Sequence, residues 1–189
     1  MGHSVWNKAM AARVAAFLVG VLGLASLRAT YDAALPADLM PQLWALAGFY
    51  AVVTVFGVTA ALLAVARGWR IGAAPAGGLV VAVSMTVLGG GVDWPRLALH
   101  GLMPLAVGLW WLVFAPKGVQ RRDLAVWLIW PVVYGTYALL RGQITGDWPC
   151  PALDVGSLGL LRVARNALAL LVGFWLVGQA VQFVARRLR

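Results

Sequence analysis

Charge is scarce in this chain, and several residue types that build sites in soluble proteins are nearly missing. Lys, Arg, Asp and Glu make up 11% of the 189 residues, against about a quarter in an average soluble domain. Glutamate is absent; the acidic residues are Asp32, Asp38, Asp93, Asp123, Asp147 and Asp154. None is expected in mid-span, which disfavours a proton-coupled transporter, because such a path needs ionisable groups across the membrane. Cys150 is the only cysteine, so no internal disulfide forms, and no Cys/His spacing matches a zinc or haem site. No metal and no cofactor are expected. Histidine occurs twice, as His3 in the terminal tail and as His100. The chain has no internal repeat, low-complexity tract or long linker, so a single domain over 1–189 is expected.

Hydrocarbon is what the chain has in abundance. Hydrophobic residues reach 62% and the mean hydropathy is +0.87. Apolar runs of about twenty residues, the length that crosses a bilayer, lie between short polar clusters. Six spans are predicted, at about 12–28, 42–66, 72–91, 97–115, 123–141 and 158–185. Each should be helical, because inside lipid every backbone polar group must be satisfied within its segment or in a closed barrel. The runs are too long for barrel strands. The expected fold is all-α, a six-transmembrane-helix bundle. The first run follows Lys8 and Arg13 like the start of a signal peptide, but it continues for a full span without a convincing cleavage site and reads as a retained anchor.

Lysine and arginine set the orientation. With the N-terminus cytoplasmic, Lys8, Arg13, Arg67, Arg70, Lys117, Arg121, Arg122, Arg186, Arg187 and Arg189 fall inside. Arg28, Arg96, Arg141, Arg162 and Arg165 fall outside. Ten against five places both termini in the cytoplasm. Trp44, Trp69, Trp94, Trp127 and Trp148 sit at span ends, as an interfacial belt requires. Gly20 with Gly23, the glycines of 72–78 and 89–91, and Gly173 with Gly178 permit close helix approach. The net charge of +9 raises the question of nucleic acid, but the basic residues form no single stripe, so no nucleic-acid partner is expected.

An ionisable side chain just inside a span is costly and reads as functional by default, which singles out His100. Pro104 removes the amide that would bond the His100 carbonyl, so the backbone is open where the imidazole sits. That imidazole suits a general base, a hydrogen-bonding clamp or a helix bridge. Tyr134, Tyr137 and Arg141 are spaced three, four and seven apart and share one helix face. They form either an inward polar stripe or an interfacial belt with a snorkelling arginine. Arg162, Arg165 and Asn166 cluster at the positive start of the sixth span, where something negative should offset the arginines. Asp154, Asp147 and an anionic ligand are the options. Trp148-Pro149-Cys150-Pro151-Ala152-Leu153-Asp154 is a stiff extended loop on the same side as His100, placed to lid a cavity.

Three stretches carry a family pattern: HGLMPLAVGLWWLVFAPK at 100–117, PVVYGTYALLRG at 131–142 and WPCPALD at 148–154. Their order and spacing resemble the bacterial six-span branch of the FAR-17a and androgen-induced-protein superfamily. The resemblance covers about 93–170 well and the first half in outline. It implies a six-helix fold with cytoplasmic termini, in the bacterial cytoplasmic membrane. Animal members are integral-membrane threonine hydrolases of fatty acid esters of hydroxy fatty acids. His100 matches the family histidine. The family threonine position is occupied by Ala51, with Thr54 one turn deeper as the candidate nucleophile. Measured from Gln42, Thr54 lies roughly 18 Å along a straight second span, far from His100 near the start of the fourth. The loop departs from the pattern at Cys150 and Ala152, where the family prefers aromatic residues.

Two functions are therefore carried forward. One is a lipid ester hydrolase with His100 as base, Thr54 as nucleophile, and Arg141 with Arg162 or Arg165 holding a substrate carboxylate. Tyr134, Tyr137, Trp148, Asp154 and Asn166 would complete its binding site. The other is a non-catalytic lipid-binding or structural membrane protein, with His100, Arg141 and Asp154 in one buried polar network. Membrane lipids or fatty-acid esters are the expected partners.

Overall fold

The computed structural model describes residues 2–33, 38–89 and 92–189. The expected end of the third span at Gly90 and Gly91, part of the 29–41 connection, and the side chain of His3 lie outside the described residues. Helix is the only regular structure among the described residues, as the need to satisfy amides in lipid dictates. Helix α1 runs Gly2–Ala33, α2 Leu39–Leu46 and α3 Tyr50–Ala66. Helix α4, Ala73–Ser84, continues as a 3-10 turn over Met85–Gly89. The next rod is α5, Trp94–Leu97, a π turn at Ala98–Leu102, and α6, Met103–Phe114. Helix α7 spans Asp123–Thr145, a 3-10 turn covers Pro151–Leu153, α8 is Val155–Leu158 and α9 is Leu160–Arg187.

Four rods are long and apolar enough to cross a membrane: Asn7–Ala33, Trp94–Phe114, Asp123–Thr145 and Leu160–Arg187. The expected continuous second span is not continuous, because α2 and α3 meet at 92°. Counted together they make a fifth crossing. The third apolar segment, Ala73–Gly89, is shorter. Its 3-10 tail rises faster per residue than an α-helix, which stretches it to about 28 Å, close to a hydrocarbon core of about 30 Å.

Large apolar side chains face outward, as lipid solvation allows; Leu18, Val113, Leu161 and Phe183 are all exposed. The interior is built from Val55, Leu62, Val81, Met103, Val107 and neighbours. Small residues set the close approaches. Gly20 and Gly23 let α1 lie against Leu63 and Thr59 of α3, where a methyl group has no room. Gly77 and Gly78 receive the Trp127 ring, whose indole N–H donates to the Ala74 carbonyl at 2.8 Å.

Side-chain hydrogen bonds fix which ends lie together. Arg13 donates to the Ala66 carbonyl, Trp110 to Ala12, and Arg189 to Lys117 and Val119. Residues near both chain ends, the end of α3 and the α6–α7 connection thus gather at one end of the bundle. Lys117 closes the end of α6, donating to the carbonyls of Trp111 and Ala115 at 2.6 Å each. Burial there lowers its pKa from the ordinary lysine value.

A Cβ at Gly77 would sit 2.6 Å from Trp127, whereas one at Gly57 meets nothing within 4 Å. Gly77→Ala should therefore destabilise the protein by about 1–3 kcal/mol. Gly57→Ala should be neutral or stabilising, by up to about 1 kcal/mol. Thermal unfolding of both variants in one detergent checks the contrast.

Candidate functional site

A cavity of about 780 Å³ opens at the bundle end opposite the chain termini. Its wall takes residues from the end of α1, the α2–α3 break, the 3-10 tail of α4, the start of the α5–α6 rod, and the facing parts of α7 and α9. Of the loop expected to lid a cavity, Pro149 through Leu153 line the space. Asn166 of α9 holds this loop by donating from Nδ2 to the Ala152 carbonyl at 2.9 Å. Trp148 packs against Gly142 at the loop's start.

His100 lines the cavity. The helix widens around it into the π turn, with the Met103 N–H bonding the Ala98 carbonyl five residues back. Pro104 accounts for the widening, because its ring collides with a carbonyl four residues earlier and offers no N–H to it. His100 Nδ1 lies 2.5 Å from the Thr86 carbonyl oxygen. A carbonyl only accepts, so Nδ1 carries a proton, and in the neutral ring the lone pair is on Nε2. Gly89 makes room for the ring; a Cβ there would collide with the imidazole. The 3-10 tail of α4 thus fixes both the tautomer and the position of His100.

Thr54 is placed differently from the sequence expectation. Because the chain turns at 92° before Tyr50, Thr54 lies about 6 Å along α3 and not 18 Å along a straight span. Depth no longer separates it from His100. Its surroundings do: Thr54 is buried, does not line the cavity, and its hydroxyl accepts from Trp130 Nε1 at 3.0 Å. Ala51 does line the cavity and brings no hydroxyl to it. Among the described residues, five hydroxyl-bearing side chains line the cavity, and each donates to a backbone carbonyl: Thr30 to Ser26, Tyr50 to Ala82, Thr86 to Val83, Tyr134 to Gly48 and Thr136 to Val132. Among the described residues no hydroxyl is hydrogen-bonded to the imidazole.

The Tyr134, Tyr137 and Arg141 stripe points inward, toward the α2–α3 break. Among the carbonyls from Leu43 to Phe49, those of Leu43, Ala45, Leu46 and Phe49 accept from backbone amides. The other three accept from the stripe: Trp44 from Arg141 at 2.7 Å, Ala47 from Tyr137 at 3.3 Å and Gly48 from Tyr134 at 2.8 Å. Arg141 is 4% exposed and stacks over the Trp44 ring at 4.4 Å. It also donates to the Tyr137 hydroxyl at 2.9 Å and lies 3.8 Å from Asp147.

The remaining expected residues do not converge on the cavity. Arg162 and Arg165 are exposed and have no ion-pair partner among the described residues. Asp154 does not offset them; its carboxylate caps α8 by accepting from the Ser157 N–H at 3.0 Å, and the Ser157 side chain, followed by that N–H, lowers its pKa. The expected His100, Arg141 and Asp154 network is therefore three separate local arrangements, because each group finds nearer backbone partners. The guanidinium that does line the cavity is Arg96, which the residue patterns did not single out. Its signal was its place four residues before His100 on one helix.

No family model matches the sequence, and no curated protein or solved structure matches it significantly. Geometry alone therefore ranks the residues, and Arg141 ranks as the brace of the break. Arg141→Leu leaves the Trp44 carbonyl without its donor and should cost about 1.5–3 kcal/mol. Hydrogen exchange over 39–49 should rise in that variant while the amides of α6 stay protected; uniform protection would contradict the assignment.

Proposed function

We propose that this chain is a six-pass protein of a bacterial cytoplasmic membrane, both termini inside, that binds a lipid acyl chain in the cavity on its outer side. Six apolar helical segments and the ten-to-five distribution of basic residues support the topology. The cavity has the size of small-molecule sites, about 300–1,000 Å³, and its wall is mostly hydrocarbon, with Leu99, Leu139, Leu170, Leu171 and Phe174 among its side chains. A tail seated there gains about 0.8 kcal/mol per buried methylene relative to water. The single observation favouring binding over catalysis is that every lining hydroxyl is committed to a carbonyl.

One observation keeps a hydrolase as the second reading. His100 is anchored through Nδ1, which in the neutral ring leaves Nε2 as the nitrogen a general base would use. In that reading, which also draws on the resemblance to the androgen-induced-protein superfamily, a fatty-acid ester enters from the outer leaflet and His100 activates Thr54 after Thr54 exchanges its Trp130 contact.

A photoreactive acyl-chain probe separates these readings. Labelling should map to peptides of the cavity wall and fall at least tenfold in Leu171→Trp, which fills the space. Labelling spread evenly over lipid-facing helices would refute the binding site. For the hydrolase, turnover of fatty-acid hydroxy-acid esters should vanish in both His100→Ala and Thr54→Ala; no turnover by the unaltered protein removes that reading.

A further inference from the structure

We infer that the cavity selects a single-chain amphiphile with a carboxylate head, and that Arg96 holds this head at the mouth. The inference rests on the reading that the cavity takes an acyl tail. Among the described residues, Arg96 is the only guanidinium or ammonium in the cavity wall, and no aspartate shares it. It belongs to the same helical rod as His100, four residues earlier, so the two lie on one side of that rod. Once Asp93 is displaced, the guanidinium stands beside a hydrocarbon interior, the complement of an anionic amphiphile.

Arg96 is available for that role. Its ionic partner among the described residues is Asp93, at 3.6 Å, with the two side chains 66% and 52% exposed. An exposed pair of this kind contributes little to stability. A ligand carboxylate can displace Asp93 at small cost and gain the two parallel N–H···O bonds that a guanidinium offers. The other arginines on this side are committed or remote. Arg141 braces the α2–α3 break, and Arg28, Arg162 and Arg165 lie outside the cavity wall. One cation matches a head with one negative charge. A phosphate monoester, carrying nearly two, would leave charge uncompensated at an apolar rim.

The test uses the full chain in uncharged detergent, in alkaline buffer where fatty acids are ionised. Three probes carry one saturated tail and one photoreactive group: a fatty acid, the matching alcohol and the matching lysophosphatidic acid. The acid should bind about fivefold tighter than the alcohol and tighter than the lysophosphatidic acid. Arg96→Gln should bring the acid-to-alcohol ratio to about one without weakening the alcohol, which also shows the variant is folded. Arg96→Lys should restore part of the preference. Equal binding of acid and alcohol, or a preference that survives Arg96→Gln, overturns the inference and leaves the cavity reading standing. Tighter binding of the lysophosphatidic acid overturns the carboxylate assignment. If no probe binds, the acyl-chain reading itself fails and takes this inference with it.

Discussion

A helix that bends through 92° beside hydrocarbon exposes carbonyls that nothing in the lipid can satisfy, and this cost organises the candidate site. Three carbonyls at the α2–α3 break have no amide partner, and one face of α7 supplies three donors at matching heights. Tyr134, Tyr137 and Arg141 recur at helical spacing because the carbonyls of Gly48, Ala47 and Trp44 are stepped along the same direction. With the break secured, α2 turns away, and the start of α3 becomes a cavity wall instead of the middle of a span. Phe49, Tyr50, Ala51 and Val52 all line that space. The arginine that first looks like a ligand contact is thus a brace of the cavity wall.

A second irregularity faces the first across the cavity. Pro104 opens the α5–α6 rod into a π turn, and the 3-10 tail of α4 lies against it, so the Thr86 carbonyl meets His100 Nδ1. Non-helical backbone at membrane depth persists where it lines a cavity or is buried in protein. Here a broken helix, a π turn and a 3-10 tail surround one void. The rest of the bundle stays regular and packs through glycine contacts such as Gly20 on Leu63 and Gly77 on Trp127.

The apolar runs made the helices legible, because in lipid a long hydrocarbon stretch has one accessible secondary structure. His100 and the Trp148–Asp154 loop were legible as cavity elements because a membrane histidine and a Pro-x-Pro segment each have few uses. The break at 47–49 was hidden: Ala47, Gly48 and Phe49 are as apolar as their neighbours, and the signal lay in the partner stripe on α7. That stripe was visible, but its target was not, since sequence spacing shows which residues share a face and not what the face meets. Asp154 misled for a related reason, because a local N–H is always nearer than a distant arginine. Arg96 is one of five basic residues on its side, and only the helix face it occupies distinguishes it.

The direction of α2 tests this account most directly. Nitroxide labels placed singly at positions 39 to 66 of a Cys150→Ser background would report membrane depth through their accessibility to oxygen and to a water-soluble nickel complex. Depth should be nearly constant and shallow from 39 to 46, then descend steadily from near 50. A single continuous descent through all these positions would mean a straight second span, with no break for Arg141 to brace and no wall for the cavity.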